Sequence, residues 1–377
     1  MLARHVISRK RRGLAWAWLA AALALLTAAE GQPSGRVLEA ADALRAEVAR
    51  LRNADGGGMS LRDEEVGEAL RWAAYPARVS AVHIAVYANK REANLERLMS
   101  TAPFPVQIVS LGDEWKGSVD KLLGYWAYVK TVANDAVVIL LDAFDVFTNG
   151  FDGHDLLTRF FSFGRPVVIS AEENIFPREV SKQAEISLRV FAQHGYVNIS
   201  HASRFLNAGG IIGMGWAMKR MYDSMREKMV ANNPTLLMQY SNHVGHWFMH
   251  AYDQYELWRY FSRHVYDVVE QQGEALVAID TEQLIFGSTV LLPRNWPGLL
   301  KDATLGIPNV ERSHSIDVDE PLVFDAPQQL FEIVGCHARF VGRKHYPIFW
   351  HGHGPWKAAW EALRDRLLAM GCWGDGR

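Results

Sequence analysis

Two aspartates leave a buried-looking run together. Asp142 and Asp145 stand three residues apart, directly after the apolar stretch Ala136–Leu141 (AVVILL). Carboxylates at the end of such a run are costly to bury unless an opposite charge meets them. A divalent cation is the usual partner; oxygen ligands suit Mn²⁺ or Mg²⁺, and such an ion can neutralise a diphosphate. A turn or helix cap would use the same residues, so the pair is weighed with its neighbours. His351 and His353, in the loop His351–Lys357 (HGHGPWK), offer the nitrogen that a mixed carboxylate and imidazole site needs. Asn207 with the pair Gly209–Gly210, in Phe205–Gly213 (FLNAGGIIG), suits close approach of backbone to a ligand or a glycine-rich turn. Asp280–Phe286 (DTEQLIF) reads as two acids and an amide at the start of a helix.

Elements must hold these residues in place. Ser80–Tyr87, Val106–Leu111, Ala136–Leu141 and Pro166–Ser170 are short β-rich runs, with helical segments at 92–99 and up to Val132 between them. Nearly continuous apolar strands alternating with helices predict an α/β layer structure with a mostly parallel sheet. In such sheets ligands gather beyond the carboxyl ends of the strands, where the Asp142 pair lies. Tyr346–Trp350 is read as one more strand, ending at His351.

The front of the chain reads differently. Arg4, Arg9, Lys10, Arg11 and Arg12 precede an uncharged run from Gly13 to Ala29. That pattern predicts a signal peptide or signal anchor over residues 1–30, with the rest of the chain in the lumen of the secretory pathway. Residues 31–79 form a stem: Val37, Ala41, Leu44, Val48 and Leu51 follow a coiled-coil or amphipathic spacing, a route to a homo-oligomer. The folded domain is expected over 80–377. With 49% hydrophobic residues, 22% charged and net charge −2, the chain of 377 residues is globular and is no nucleic-acid binder. Its two cysteines, Cys336 and Cys372, fit either a disulfide or free thiols.

The order of LGDEWKG (111–117), ILLDAFDVF (139–147), VISAEENIFPRE (168–179), FLNAGGIIG (205–213), DTEQLIF (280–286) and IFWHGHGPWK (348–357) resembles the glycosyltransferase domain of the procollagen lysyl hydroxylases and related collagen glycosyltransferases. The resemblance implies a GT-A-like, Rossmann-like nucleotide-sugar domain, with Mn²⁺ (or Mg²⁺) and UDP-galactose or UDP-glucose as donor. It implies Asp142, Asp145 and His351 as metal ligands, and Trp115, Phe144, Asn207 and Gly209 in the donor site. Gly354 and Lys357 join them from the His351 loop. Lys121 and Lys357 are both weaker candidates for diphosphate contacts, and Lys121 reads more readily as an exposed helix lysine. Glu172 comes from the Ser-Ala-Glu motif, and Phe176 faces the acceptor where the family shows Trp. Two departures concern sugar and acceptor: the family's acidic run is reduced to Asp280-Thr281-Glu282, and an Asn is replaced by His353. The resemblance leaves no stretch for the family's oxygenase domain within these residues, so a stand-alone transferase is expected.

The expected activity is hexose transfer from a UDP-sugar to the hydroxyl of a protein or glycan acceptor, such as hydroxylysine or galactosyl-hydroxylysine. Glu282, Asp280 and Glu172 are the candidate bases. The alternatives are a luminal protein that binds the nucleotide sugar without catalysis, and a metal-dependent hydrolase.

Overall fold

The computed structural model describes residues 79–115, 118–173, 181–201, 203–232, 252–271, 273, 275–288, 331–341, 343–352 and 357–372. The signal or anchor segment, the stem, Phe176, His353, Gly354 and the side chain of Lys357 lie outside them. No helix among the described residues is long and apolar enough to cross a membrane. The chain divides into two compact units, Met1–Val79 with Leu157–Gly164, and Ser80–Leu156 with Arg165–Arg377. In the first, the rings of Phe160 and Phe161 pack 4.9 Å apart.

The second unit carries a six-stranded sheet. Its strands are β1 (Val82–Tyr87), β2 (Val106–Val109), β3 (Val137–Asp142), β5 (Val167–Glu172), β6 (Phe205–Met214) and β7 (Val277–Asp280), in the order β2-β1-β3-β6-β5-β7. All are parallel except β6, which runs against both of its neighbours. Ile84 to Val86, Val137 to Leu141 and Val167 to Ile169 are buried almost without remainder. Such apolar runs are what a sheet covered on both faces requires. The cover includes α2 (Ser118–Thr131), α5 (Gly215–Asn232) and α6 (Tyr252–Glu270). The reversal of β6 matters for function. It brings the start of that strand, with Asn207, to the edge where β3 and β5 end.

A second, three-stranded sheet sets β11 (Phe349–His351) between β4 (Val146–Thr148), antiparallel, and β8 (Phe286–Ser288), parallel. The strand expected to end before the histidine thus includes it. Behind this sheet Phe147, Trp350, Phe331, Trp360, Leu363 and Leu367 form a separate core. Phe331 belongs to the hairpin of β9 (Phe331–Val334) and β10 (His337–Phe340); Trp360, Leu363 and Leu367 belong to α7 (Lys357–Ala369). Asn149 binds this assembly together. Its Nδ2 donates to the carbonyls of Ala338 (2.7 Å) and Pro347 (2.8 Å), and its Oδ1 accepts from the Ala338 N–H (2.6 Å). Cys336, in the hairpin turn, is disulfide-bonded to Cys372 beyond α7, so the free-thiol option does not hold.

One element departs from expectation. DTEQLIF does not start a helix: Asp280 ends β7, and a turn leads directly into β8. The buried Asp280 carboxylate accepts the backbone N–H groups of Leu284, Ile285 and Phe286, each at 2.8 Å. Gln283 completes the turn at φ 56°, with its amide donating to Ser203 Oγ at 3.0 Å.

Candidate metal centre

Strand β3 delivers Asp142 at its last position, and β4 begins directly after Asp145. Pairing of β11 with β4 then sets His351 opposite Val146. Chain-distant residues therefore meet because one short strand follows the DxxD turn. His351 Nε2 lies 3.1 Å from Asp142 Oδ2 and 3.6 Å from Asp145 Oδ1. Among the described residues, these three form the one group of His, Cys, Asp and Glu whose ligand atoms all lie within 4.8 Å of one another.

The surroundings shape each ligand. His351 Nδ1 lies 3.0 Å from Asn207 Oδ1, which also accepts the Gly209 N–H at 2.8 Å. An imidazole that donates from Nδ1 presents the Nε2 lone pair toward the carboxylates, the tautomer a metal requires. Burial opposes charge on His351, but Asp145 and Asp142 outweigh it and push its pKa up to about 10. Two carboxylates around a buried ring thus demand positive charge, and a divalent cation answers the same demand. The donor set fits Mn²⁺ or Mg²⁺.

Gly209 makes room for a side chain of the second sheet. A Cβ there would fall under 3.0 Å from three atoms of the His351 ring. A Cβ on Gly210 would meet the ring of Phe286 at 2.5 Å. The glycine pair admits two rings from the second sheet, and so lets the two sheets close on the centre.

Lys121 is not an exposed helix lysine. Its largely buried ammonium, on α2, pairs with Asp142 and with Asp253 (2.8 Å). Burial alone would lower its pKa, yet the carboxylates of Asp142 and Asp253 hold it well above the usual lysine value. Burial likewise works against the Asp142 charge, but Lys121 and His351 keep that carboxyl far below the ordinary range.

Sequence reasoning missed Asp253 and Gln254, the second and third residues of α6. Gln254 Nε2 donates to Glu172 at 2.6 Å, and its Oε1 accepts the Ala208 N–H at 3.2 Å. The available signal was an Asp-Gln pair at a helix start. Glu172 ends β5, fully enclosed, and Asn207 bonds it as well. Burial pushes its pKa up to about 7, against the pull of these hydrogen bonds. Asn207 therefore links the carboxyl of Glu172 to the ring of His351.

The other candidates are spread more widely. Asp280 is committed to its turn, as described above. Glu282 is half exposed, 3.8 Å from His201 Nε2 and 3.5 Å from His345 Nε2. Trp115 is 42% exposed and leans on Tyr87, with ring centroids 5.6 Å apart. Tyr87 pairs in register with Asp142, so the indole flanks the same edge. Phe144 is half-buried in the DxxD turn, where its carbonyl accepts from Asn94 Nδ2 at 3.0 Å.

Comparison with known proteins bears on this arrangement. The family described as PLOD GT domain matches residues 78–233. Procollagen-lysine,2-oxoglutarate 5-dioxygenase 1 of Gallus gallus is 27% identical over 155 residues, which cover 37% of this chain and 20% of that protein. The chain thus spans about a fifth of the length of that relative. The match to the family takes in Trp115, Asp142, Asp145, Glu172, Asn207 and Gly209 and stops before His351. Residues 78–233 are thus similar to a PLOD-type glycosyltransferase domain.

Proposed function

We propose that this protein is a metal-dependent glycosyltransferase that moves galactose or glucose from a UDP-sugar to an acceptor hydroxyl. The acceptor class we favour is hydroxylysine or galactosyl-hydroxylysine of a collagen-like protein. The observation that carries the reading is the convergence of His351 on Asp142 and Asp145, the two aspartates lying in the stretch that matches a PLOD-type domain.

In this reading Asp142, Asp145 and His351 hold Mn²⁺ or Mg²⁺ at the carboxyl edge of the main sheet. When bound, the cation supplies Lewis-acid stabilisation of the charge that grows on the diphosphate as the glycosidic bond breaks. Trp115 and Phe144 flank the nucleoside, and Lys357 is a candidate contact to the diphosphate. Glu172 is the base we favour over Asp280 and Glu282. A base must be ionisable near the working pH, and burial has tuned Glu172 to about 7. Asp280 has both oxygens engaged by backbone N–H groups. Glu172 would accept the acceptor hydroxyl proton while Gln254 and Asn207 hold the carboxylate in place.

We place the domain in an oxidising lumen, entered through residues 1–30 as a signal peptide or anchor, with 31–79 as a stem. The Cys336–Cys372 disulfide supports such a compartment. The exposed sequon Asn198-Ile-Ser200 is then open to glycosylation.

The test is UDP release from UDP-galactose and UDP-glucose with Mn²⁺, with and without hydroxylysine or galactosyl-hydroxylysine peptides. Acceptor-stimulated release supports the transferase. Release indifferent to acceptor marks a hydrolase, and donor binding without turnover marks a non-catalytic binding protein.

A further inference from the structure

The ammonium of Lys121 occupies one oxygen of Asp142 while the other oxygen faces His351. Three groups fix that ammonium. Asp142 and Asp253 flank it, and the Ala208 carbonyl accepts from it at 3.4 Å. Ala208 is held in turn through its N–H by Gln254, the neighbour of Asp253. The result is a closed ring running from Lys121 to Asp253, Gln254, Ala208 and back. The walls are apolar or aromatic: Leu122, Tyr125, Ile211, Tyr222, Met225 and Leu257 line the space around Lys121 and Asp253. That enclosed space behind the ammonium has room for at most about one water.

We infer that Lys121 is a positioning residue for the metal ligand Asp142, a built-in cation held back by Asp253, and does not contact the donor diphosphate. The inference rests on the reading of Asp142, Asp145 and His351 as the metal centre. Two physical consequences separate it from a phosphate contact. Lys121 turns Asp142 so that a single oxygen points at the centre. Asp253 takes a share of the lysine charge, which keeps Lys121 from competing with the metal for Asp142. The two partners therefore act on metal affinity as a unit, and losing either one weakens it.

The experiment is Mn²⁺ titration by electron paramagnetic resonance on the full chain without donor, with UDP affinity measured afterwards at saturating Mn²⁺. The variants are Lys121→Met, Lys121→Arg, Asp253→Asn and the double Lys121→Met/Asp253→Asn, each checked by thermal unfolding. Lys121→Met is expected to weaken Mn²⁺ about 10- to 100-fold, as loss of an outer partner does at other metal sites. Lys121→Arg should restore part of that loss. Asp253→Asn should also weaken Mn²⁺, because the whole lysine charge then turns on Asp142. The double variant should lose less than the two single effects combined, and UDP affinity at saturating Mn²⁺ should stay within about threefold of the parent. If Lys121→Met binds Mn²⁺ like the parent, whether or not UDP binding falls, Lys121 does not position the ligand and the inference fails alone. Additive losses in the double variant overturn it as well. Failure of the parent to bind Mn²⁺ overturns the metal centre and this inference together. Should Lys121→Met not fold, the isosteric Asp253→Asn decides: unchanged Mn²⁺ affinity there overturns the inference.

Discussion

Glu172 is the residue whose chemistry is set most clearly by its surroundings. It is a carboxyl with no exposure to speak of, and burial raises its pKa to about 7 despite two amide partners. A raised pKa means that the group is protonated below about 7 and charged above it. As the base, it must be charged, so kcat/KM should fall as pH drops through about 7. Glu172→Gln should flatten that limb and slow transfer by roughly 10² to 10⁴, the range of general-base contributions. A pH–rate profile of parent and variant, at saturating metal, checks both statements. The three residues of the candidate centre were legible as types at spacings: two aspartates after an apolar run, and a histidine in a glycine-rich loop. The partners of those residues were not. Nothing in the spacing of Lys121, Asp253 and Gln254 shows that they converge, because their contacts are made between elements and far apart in the chain.

At the scale of elements, strand existence was legible, since β1, β2, β3 and β5 are apolar runs that only a sheet could bury. The reversal of β6 was not legible, because an apolar run buried on both faces looks the same in either direction. The β7–β8 turn misled for a related reason: an acid followed by further polar residues opens helices and tight turns alike. The glycines of β6 gave a true signal of close approach, and in the structure they make room for rings of the second sheet. Gly209→Ala should therefore displace His351 and weaken Mn²⁺ binding about 10- to 100-fold, close to the effect of losing a ligand's support. Its cost in stability should be only about 1–3 kcal/mol of overpacking. Metal titration beside thermal unfolding separates the two. The disulfide acts on the same second sheet from behind. It joins residues 36 apart, and on a chain-entropy estimate Cys372→Ser should cost about 3–4 kcal/mol. Thermal unfolding should show that loss, and addition of a reductant should lower the parent to the level of the variant.

For the whole molecule, the larger compact unit opens at Ser80, and every residue of the metal centre lies within it. A protein beginning near Ser80 should fold and retain metal and donor binding; insolubility of that form beside a sound longer form would place part of the stem in the fold. Composition and the basic, then apolar, N-terminus spoke to compartment, while the order of the motifs spoke to family. Neither could supply the geometry that joins the halves of the centre, which depends on β11 pairing beside the DxxD turn. The central claim is that this geometry holds a catalytic divalent cation. It is tested most directly by Mn²⁺-dependent UDP release from UDP-galactose and UDP-glucose, comparing the parent with Asp145→Asn after both pass a thermal-unfolding check. Asp145→Asn keeps the size of the side chain and removes the charge that holds the cation. The account predicts turnover by the parent that chelation abolishes and added Mn²⁺ restores, with no turnover and strongly weakened Mn²⁺ binding in the folded variant. A folded Asp145→Asn protein that binds Mn²⁺ and releases UDP like the parent would contradict it.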